Sequence, residues 1–161
     1  MKLSARLQAL YNELIPGMPV VDLCCDHGHL GLYAYESEQF PEIVFVDQAA
    51  LAMRILAENF QKYVKDEENL THVTFITADV GKLQISLKGN VVAAGVGGIN
   101  LMIMLKSLHE SGRLECDVLI VSPHRNNELY EHAELFGLKH SHTHKITETG
   151  RERSIFVFKR A

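Results

Sequence analysis

Val20-Val21-Asp22-Leu23-Cys24-Cys25-Asp26-His27-Gly28-His29-Leu30-Gly31 is the stretch on which the fold turns. Its first four residues, three of them apolar, suit a short buried strand at 20–23. From Leu30 to Tyr35 the pattern becomes helical. Between the two lies a tight polar loop, in which Gly28 lets backbone come close to a ligand. A strand that runs through such a loop into a helix is the opening half of a β-α-β unit.

Reading outward, Leu3, Leu7, Leu10 and Leu14 share one face of a preceding helix, with Ser4 as N-cap and Pro16-Gly17 as the stop. Toward the C-terminus, strand patterns at 43–46, 73–77, 90–94 and 118–121 alternate with helical ones. The helices run from about Leu51 to Tyr63, from the glycine turn at 95–98 to about His109, and over 127–136 with Gly137 just past the end. A charged loop occupies 65–69, and 99–105 reads as a buried helix. Two last strand patterns, about 139–146 and 154–158, flank a Thr149-Gly150 turn with no helix between them, hence a hairpin. The expectation is an α/β fold in a single domain over residues 1–161: a doubly wound, seven-stranded, mostly parallel sheet with one antiparallel strand, plus an N-terminal helix. That plan resembles the Rossmann-like class I methyltransferases.

Composition narrows the setting. Of 161 residues, 47% are apolar and 22% charged, as in an ordinary globular chain. No apolar run is long enough for a membrane span, and the N-terminus lacks a secretory pattern. Three cysteines, two of them adjacent, make no disulfide framework, so a cytoplasmic setting is expected. A net charge of −4 argues against a chain-wide nucleic-acid footprint but leaves room for a local basic patch.

In doubly wound sheets ligands sit over the carboxyl ends of the strands. After the first strand, Asp26 is placed to accept from an ammonium group, beside Cys24, His27 and Gly28, while Asp22 orients the loop. Asp47 ends the second strand at the interval where an acid accepts ribose hydroxyls, or caps the next helix, or does both; Gln48 follows it. Asp79 and Val80, after the third strand, stand where methyltransferases of the resembled class typically contact the adenine amino group, or form a solvated turn. Gly95-Val96-Gly97-Gly98 is costly in chain entropy unless backbone passes close to something. The turn also lies where methyl transfer takes place in the class I methyltransferases that the plan resembles, which implies Gly95, Gly97 and Gly98 as the catalytic turn, with a side chain at Gly97 filling space the substrate needs. His124, after the fifth strand, faces the same cleft or is an exposed histidine. No Asp-Pro-Pro-Tyr or Asn-Pro-Pro-Tyr sequence is present, against an exocyclic-amine methylase. His140, His142 and His144 alternate, as on one face of a strand; no Cys-x-x-Cys or His-x-x-x-His pair accompanies them, and no metal is expected.

Taken together the motifs resemble one family, the TrmK-type bacterial tRNA (adenine-N1) methyltransferases. The likeness rests on Leu3-Ser4-Ala5-Arg6-Leu7, Asp22-Leu23-Cys24-Cys25-Asp26-His27, Gly95-Val96-Gly97-Gly98, Leu119-Ile120-Val121-Ser122-Pro123-His124 and Glu148-Thr149-Gly150-Arg151. It covers nearly the whole chain. Cys24 stands where the family has Gly, Val96 where it has Met, and Ser122 and His124 where it has amide side chains. Family members also carry a further helical, coiled-coil-like region that has no counterpart up to Ala161. The resemblance implies S-adenosylmethionine as cofactor and tRNA or other RNA as partner. It implies in-line transfer to adenine N1, with Asp26 offsetting charge on the base and the catalytic set Asp26, Gly95, Gly97, Gly98 and His124. The implied cofactor set is Asp22, Cys24, Asp26, His27, Gly28, Asp47, Gln48, Asp79, Val80 and Gly95. Two other readings compete: a methyltransferase-like module that binds without catalysis, and an NAD-dependent oxidoreductase. Against the second, the first loop lacks the phosphate-cradling Gly-x-Gly-x-x-Gly.

Overall fold

The computed structural model describes residues 1–64 and 68–161, so the expected charged loop at 65–69 falls partly outside the described residues. The elements are α1 (Ala5–Asn12), β1 (Val20–Leu23), α2 (His29–Glu36), β2 (Glu42–Asp47), α3 (Ala50–Tyr63), β3 (His72–Thr77), β4 (Asn90–Ala94), α4 (Gly98–Glu110), β5 (Val118–Ser122), β6 (Glu134–Leu135), β7 (Leu138–Glu148) and β8 (Arg151–Lys159). They form one sheet in the order β3-β2-β1-β4-β5-β8-β7-β6. β1 to β5 are mutually parallel, and the order reverses between β1 and β4. That reversal is where an open α/β sheet leaves a crevice.

The sheet differs from expectation in two ways. It has eight strands rather than seven, and two of them, β8 and β6, run against the rest. The extra strand comes from the segment expected to be a helix over 127–136. There the chain makes a short 3-10 turn, Asn127–Tyr130, and then the two-residue β6. Gly137 is not a helix cap. Phe136 and Gly137 both have positive φ, at 54° and 74°, the pair a tight hairpin turn requires. Thr149 and Gly150, at 49° and 74°, make the expected turn between β7 and β8 in the same way.

α1 begins where expected, with Ser4 Oγ accepting from the Leu7 amide at 3.3 Å. Two apolar layers sandwich the sheet. Leu101, Leu105 and Leu108 of α4 pack on one face with Tyr130 and Phe156, whereas Leu10, Leu30, Leu56 and Phe60 pack on the other with Val157. α4 is not buried all round: Ile99 and Ile103 are 55% and 63% exposed. Asn90 is fully buried at the head of β4, and its amide takes the Ile15 N–H and donates to the Ile15 and Pro19 carbonyls. The linker from α1 to β1 is thereby tied down without an unpaired polar group. Among the described residues, no helix is long and apolar enough to cross a membrane.

Candidate functional site

Five strand ends meet at the crevice, and the loop after β1 is the most strained part of it. Cys24 (φ 56°), Asp26 (φ 49°) and Gly28 (φ 69°) all lie in the left-handed region, which costs residues with a side chain of order 1–2 kcal/mol each. Asp47 holds this loop. Its Oδ2 accepts from the Asp26 amide at 3.0 Å, and its Oδ1 accepts from the Ala49 amide at 2.9 Å at the start of α3. One carboxylate thus fixes both the loop and the helix, and each oxygen keeps a lone pair for a ligand. Gly28 and Gly31 are required by packing: a Cβ would come within 2.5 Å of Leu56 and 2.2 Å of Phe45.

Two adjoining cavities open here, sharing Cys24, Asp26 and Gly95. The larger, about 620 Å³, takes in Asp47, Gln48, Asp79 and Val80, and is within the range of small-molecule sites. Asp79 Oδ1 accepts from the Gly81 amide at 3.0 Å, leaving its other oxygen for a ligand. The smaller, about 230 Å³, takes in Asp22, His27, Gly28 and His124. Eleven of the thirteen expected site residues therefore line one continuous cleft.

The other two, Gly97 and Gly98, line neither cavity. Gly97 has φ −60°, and a Cβ there would meet nothing nearer than Arg125 Nε at 3.6 Å, so neither backbone nor space demands glycine. Gly98 passes close to the chain itself: a Cβ would lie 2.4 Å from the Arg125 carbonyl. Tyr130 Oη donates to the Gly98 carbonyl at 2.7 Å and clamps the turn from below.

Several cleft residues escaped the sequence reading. Arg6 reaches in from α1. Its Nη1 and His124 Nε2 each lie 3.9 Å from where a Cβ on Gly95 would be. Arg6 Nε is buried and has no hydrogen-bond partner among the described residues; its nearest acid is Glu148 Oε2 at 3.7 Å. Ile103, Met104 and Asn100 of α4 wall the larger cavity. The residue Arg6 is visible in the opening helix, but only the packing of α1 shows where it points.

The electrostatics sort these groups. Burial, reinforced by the Asp47 charge, raises the Asp22 carboxyl to about 7 against the pull of the Gly31 amide. Burial and neighbouring carboxylates push the Cys24 thiol to about 12 and Cys25 higher still, so neither is a thiolate nucleophile. Partial desolvation, then Arg153, Arg6 and Arg125, lower His124, which stays neutral at pH 7. The cleft offers Asp47 and Asp79 in its larger cavity, the Arg6 guanidinium beside Asp22 in its smaller one, Asp26 where the two meet, and no activated nucleophile among the described residues. It can hold and orient a reagent that is already reactive.

The three expected strand histidines do not share a face. A bulge at Ser141 leaves His140 opposite Phe158 and His142 opposite Val157, on opposite sides of the sheet, with His144 opposite Ile155 on the His142 side.

A parallel sheet with a reversal of strand order, an acid at the end of β2 and an antiparallel C-terminal hairpin define the class I methyltransferase architecture. The chain belongs to the methyltransferase domain family, whose model matches residues 3–140. Its fold is shared by M. capricolum TrmK in complex with S-adenosyl-homocysteine: TM-score 0.80 at 15% identity, covering 99% of this chain and 70% of that one. The B. subtilis m1A22 tRNA methyltransferase TrmK superposes with TM-score 0.79 at 19% identity, over 99% of this chain and 67% of that one. Magnesium protoporphyrin IX methyltransferase from Synechocystis, with bound S-adenosylmethionine, gives 0.77 at 17% identity, over 97% and 78%. No curated protein sequence matches the chain.

Proposed function

We propose that this domain transfers a methyl group from S-adenosylmethionine to RNA, most nearly to N1 of an unpaired adenine in tRNA, in the cytoplasm. The observation that carries the reading is the polarity of the cleft: Asp47 and Asp79 at one end, Arg6 at the other. The fit is chemical. Asp47 has lone pairs for the ribose hydroxyls, Gln48 and Val80 flank it, and Asp79 has a free oxygen for the adenine amino group. Arg6 suits the amino-acid carboxylate, and Asp26, beside His27, the ammonium. Asp26, Asp47 and Asp79 against Lys82 alone make the larger cavity acidic, which favours a sulfonium and repels the pyrophosphate of NAD.

When bound, this cofactor supplies an already activated methyl group, so the protein's work is positioning. The turn at Gly95, φ 78°, leaves the shared wall of the two cavities free of a side chain, where an acceptor atom can approach. Neutral His124 can hydrogen-bond the base, and Asp26 offsets the positive charge left on it. N1 lies on the pairing edge, so the base enters unpaired or flipped. Arg125 and Arg153 beside His124 give an otherwise acidic chain a local basic rim for phosphates.

Calorimetry with S-adenosylhomocysteine and with NAD, followed by transfer of labelled methyl into total tRNA and nucleoside analysis, tests this. The expected result is binding of the adenosyl ligand alone and label in 1-methyladenosine. NAD binding without adenosyl binding would overturn the reading. Adenosyl binding with no transfer to any RNA would leave a binding module in its place.

A further inference from the structure

Away from the cleft, α1 is strapped to β7 at both ends. At its start, Glu148 Oε1 accepts from the Arg6 amide at 3.4 Å. At its end stands Glu13, the C-cap residue, its side chain only 12% exposed. A carboxylate there faces the negative end of the helix and is unfavourable unless a cation neutralises it. Two imidazoles converge on it. His142 Nε2 lies 2.8 Å from Oε2, and His144 Nε2 lies 2.5 Å from Oε1.

We propose that Glu13, His142 and His144 form a site for one divalent transition-metal ion of the zinc type. Their ligand atoms all lie within 4.8 Å of one another. Two imidazole nitrogens and one carboxylate are a ligand set that zinc takes with a water in the fourth position; oxygen-seeking calcium and magnesium do not favour it. Bonds of about 2.0–2.1 Å in a tetrahedron need ligand atoms about 3.4 Å apart, which a slight spreading of the exposed imidazole ends provides. Ser141 Oγ lies 2.9 Å from His142 Nδ1. It can accept a hydrogen bond from Nδ1–H and leave the Nε2 lone pair aimed at the ion, the arrangement that orients metal-bound histidines. The bulge supplies both that serine and the facing: without it His140 would stand on the same side as His142. The ion would rivet the end of α1 to β7, and so fix the helix that carries Arg6 to the cleft.

Metal-stripped protein is titrated with Zn²⁺ by calorimetry and with Co²⁺ by visible absorption, with melting followed in parallel. One saturable equivalent is expected, with a Co²⁺ spectrum lacking any thiolate charge-transfer band and a Tm that rises with metal. Glu13→Gln, His142→Ala and His144→Ala should each weaken binding by about tenfold or more, and His140→Ala should leave it unchanged. His144 is half exposed, so His144→Ala keeps the test sound if another variant fails to fold. Unsaturable binding, a thiolate band, full affinity in His144→Ala, or equal loss in His140→Ala would each overturn the site. None of these readouts depends on methyl transfer.

Discussion

Asp47 shows how much one side chain can carry. Because it accepts from both the Asp26 and Ala49 amides, Asp47→Ala should do two things. It should weaken S-adenosylhomocysteine binding by about 1–3 kcal/mol, and it should lower stability by about 1 kcal/mol through the lost anchor of α3. Calorimetry and urea unfolding on one preparation separate the two; unchanged affinity would reduce Asp47 to a helix anchor. Asp22 makes a second prediction. The folded chain holds its proton up to about pH 7, whereas the unfolded chain releases it near 3.8. Stability should therefore fall as pH rises through that window, by an amount of order 4 kcal/mol at 1.36 kcal/mol per unit. Asp22→Asn should flatten this slope and melt higher than the parent at about pH 8, with little difference at about pH 4. A parent-minus-variant stability difference that stays constant over that range would refute the assignment. His124 contributes with the opposite sign, its lowered value favouring the fold as pH rises, and it remains in both proteins. The acids after the strands were legible in the sequence because strand ends announce themselves. The left-handed backbone at Cys24 and Asp26 was not, because nothing in their side chains requires it.

At the scale of elements, the turn into α4 separates two glycines that look alike in sequence. Gly98→Ala places a Cβ 2.4 Å from a backbone oxygen that cannot move aside, and should cost about 1–3 kcal/mol. Gly97→Ala meets only ordinary contact, with Arg125 Nε at 3.6 Å, at ordinary φ and should stay within about 0.5 kcal/mol of the parent. Thermal melts of the pair decide it; equal losses would mean the turn is strained as a unit. The parallel core was readable for the same reason its elements are regular: β1 to β5 are short apolar runs punctuated by turn residues. The segment after β5 was not. Leu129, Tyr130, Leu135 and Phe136 fit a helix as well as a turn and a hairpin, and the contact that decides is tertiary, Tyr130 Oη on the Gly98 carbonyl. Arg6 was hidden similarly, since its direction depends on how α1 lies against β7.

For the whole molecule, charge distribution matters more than net charge. The −4 total coexists with Arg125 and Arg153 beside His124. If RNA docks there, Arg125→Ala should weaken tRNA binding, and the slope of log K against log salt should become shallower by about 0.7–0.9 for the lost contact. An unchanged slope would place the RNA elsewhere. Both apolar layers pack on one sheet, and we propose that the chain unfolds as one unit. Unfolding by urea should then show one transition by circular dichroism and by tyrosine fluorescence. Two separated midpoints would divide the chain into independent units.

The bulge in β7 bears on which residues the chain can afford to lose. A strand has two faces, so an insertion or deletion is a question of odd and even. Ser141 is the surplus residue opposite β8. Deleting it would make the ladder regular and leave every other side chain of β7 on its present face. Deleting Thr143 would close the same bulge but turn His142 to the far side, away from Glu13. Two deletions of equal length, two positions apart, thus have different consequences: loss of Ser141 removes only the Nδ1 partner of His142, whereas loss of Thr143 takes His142 itself away from Glu13.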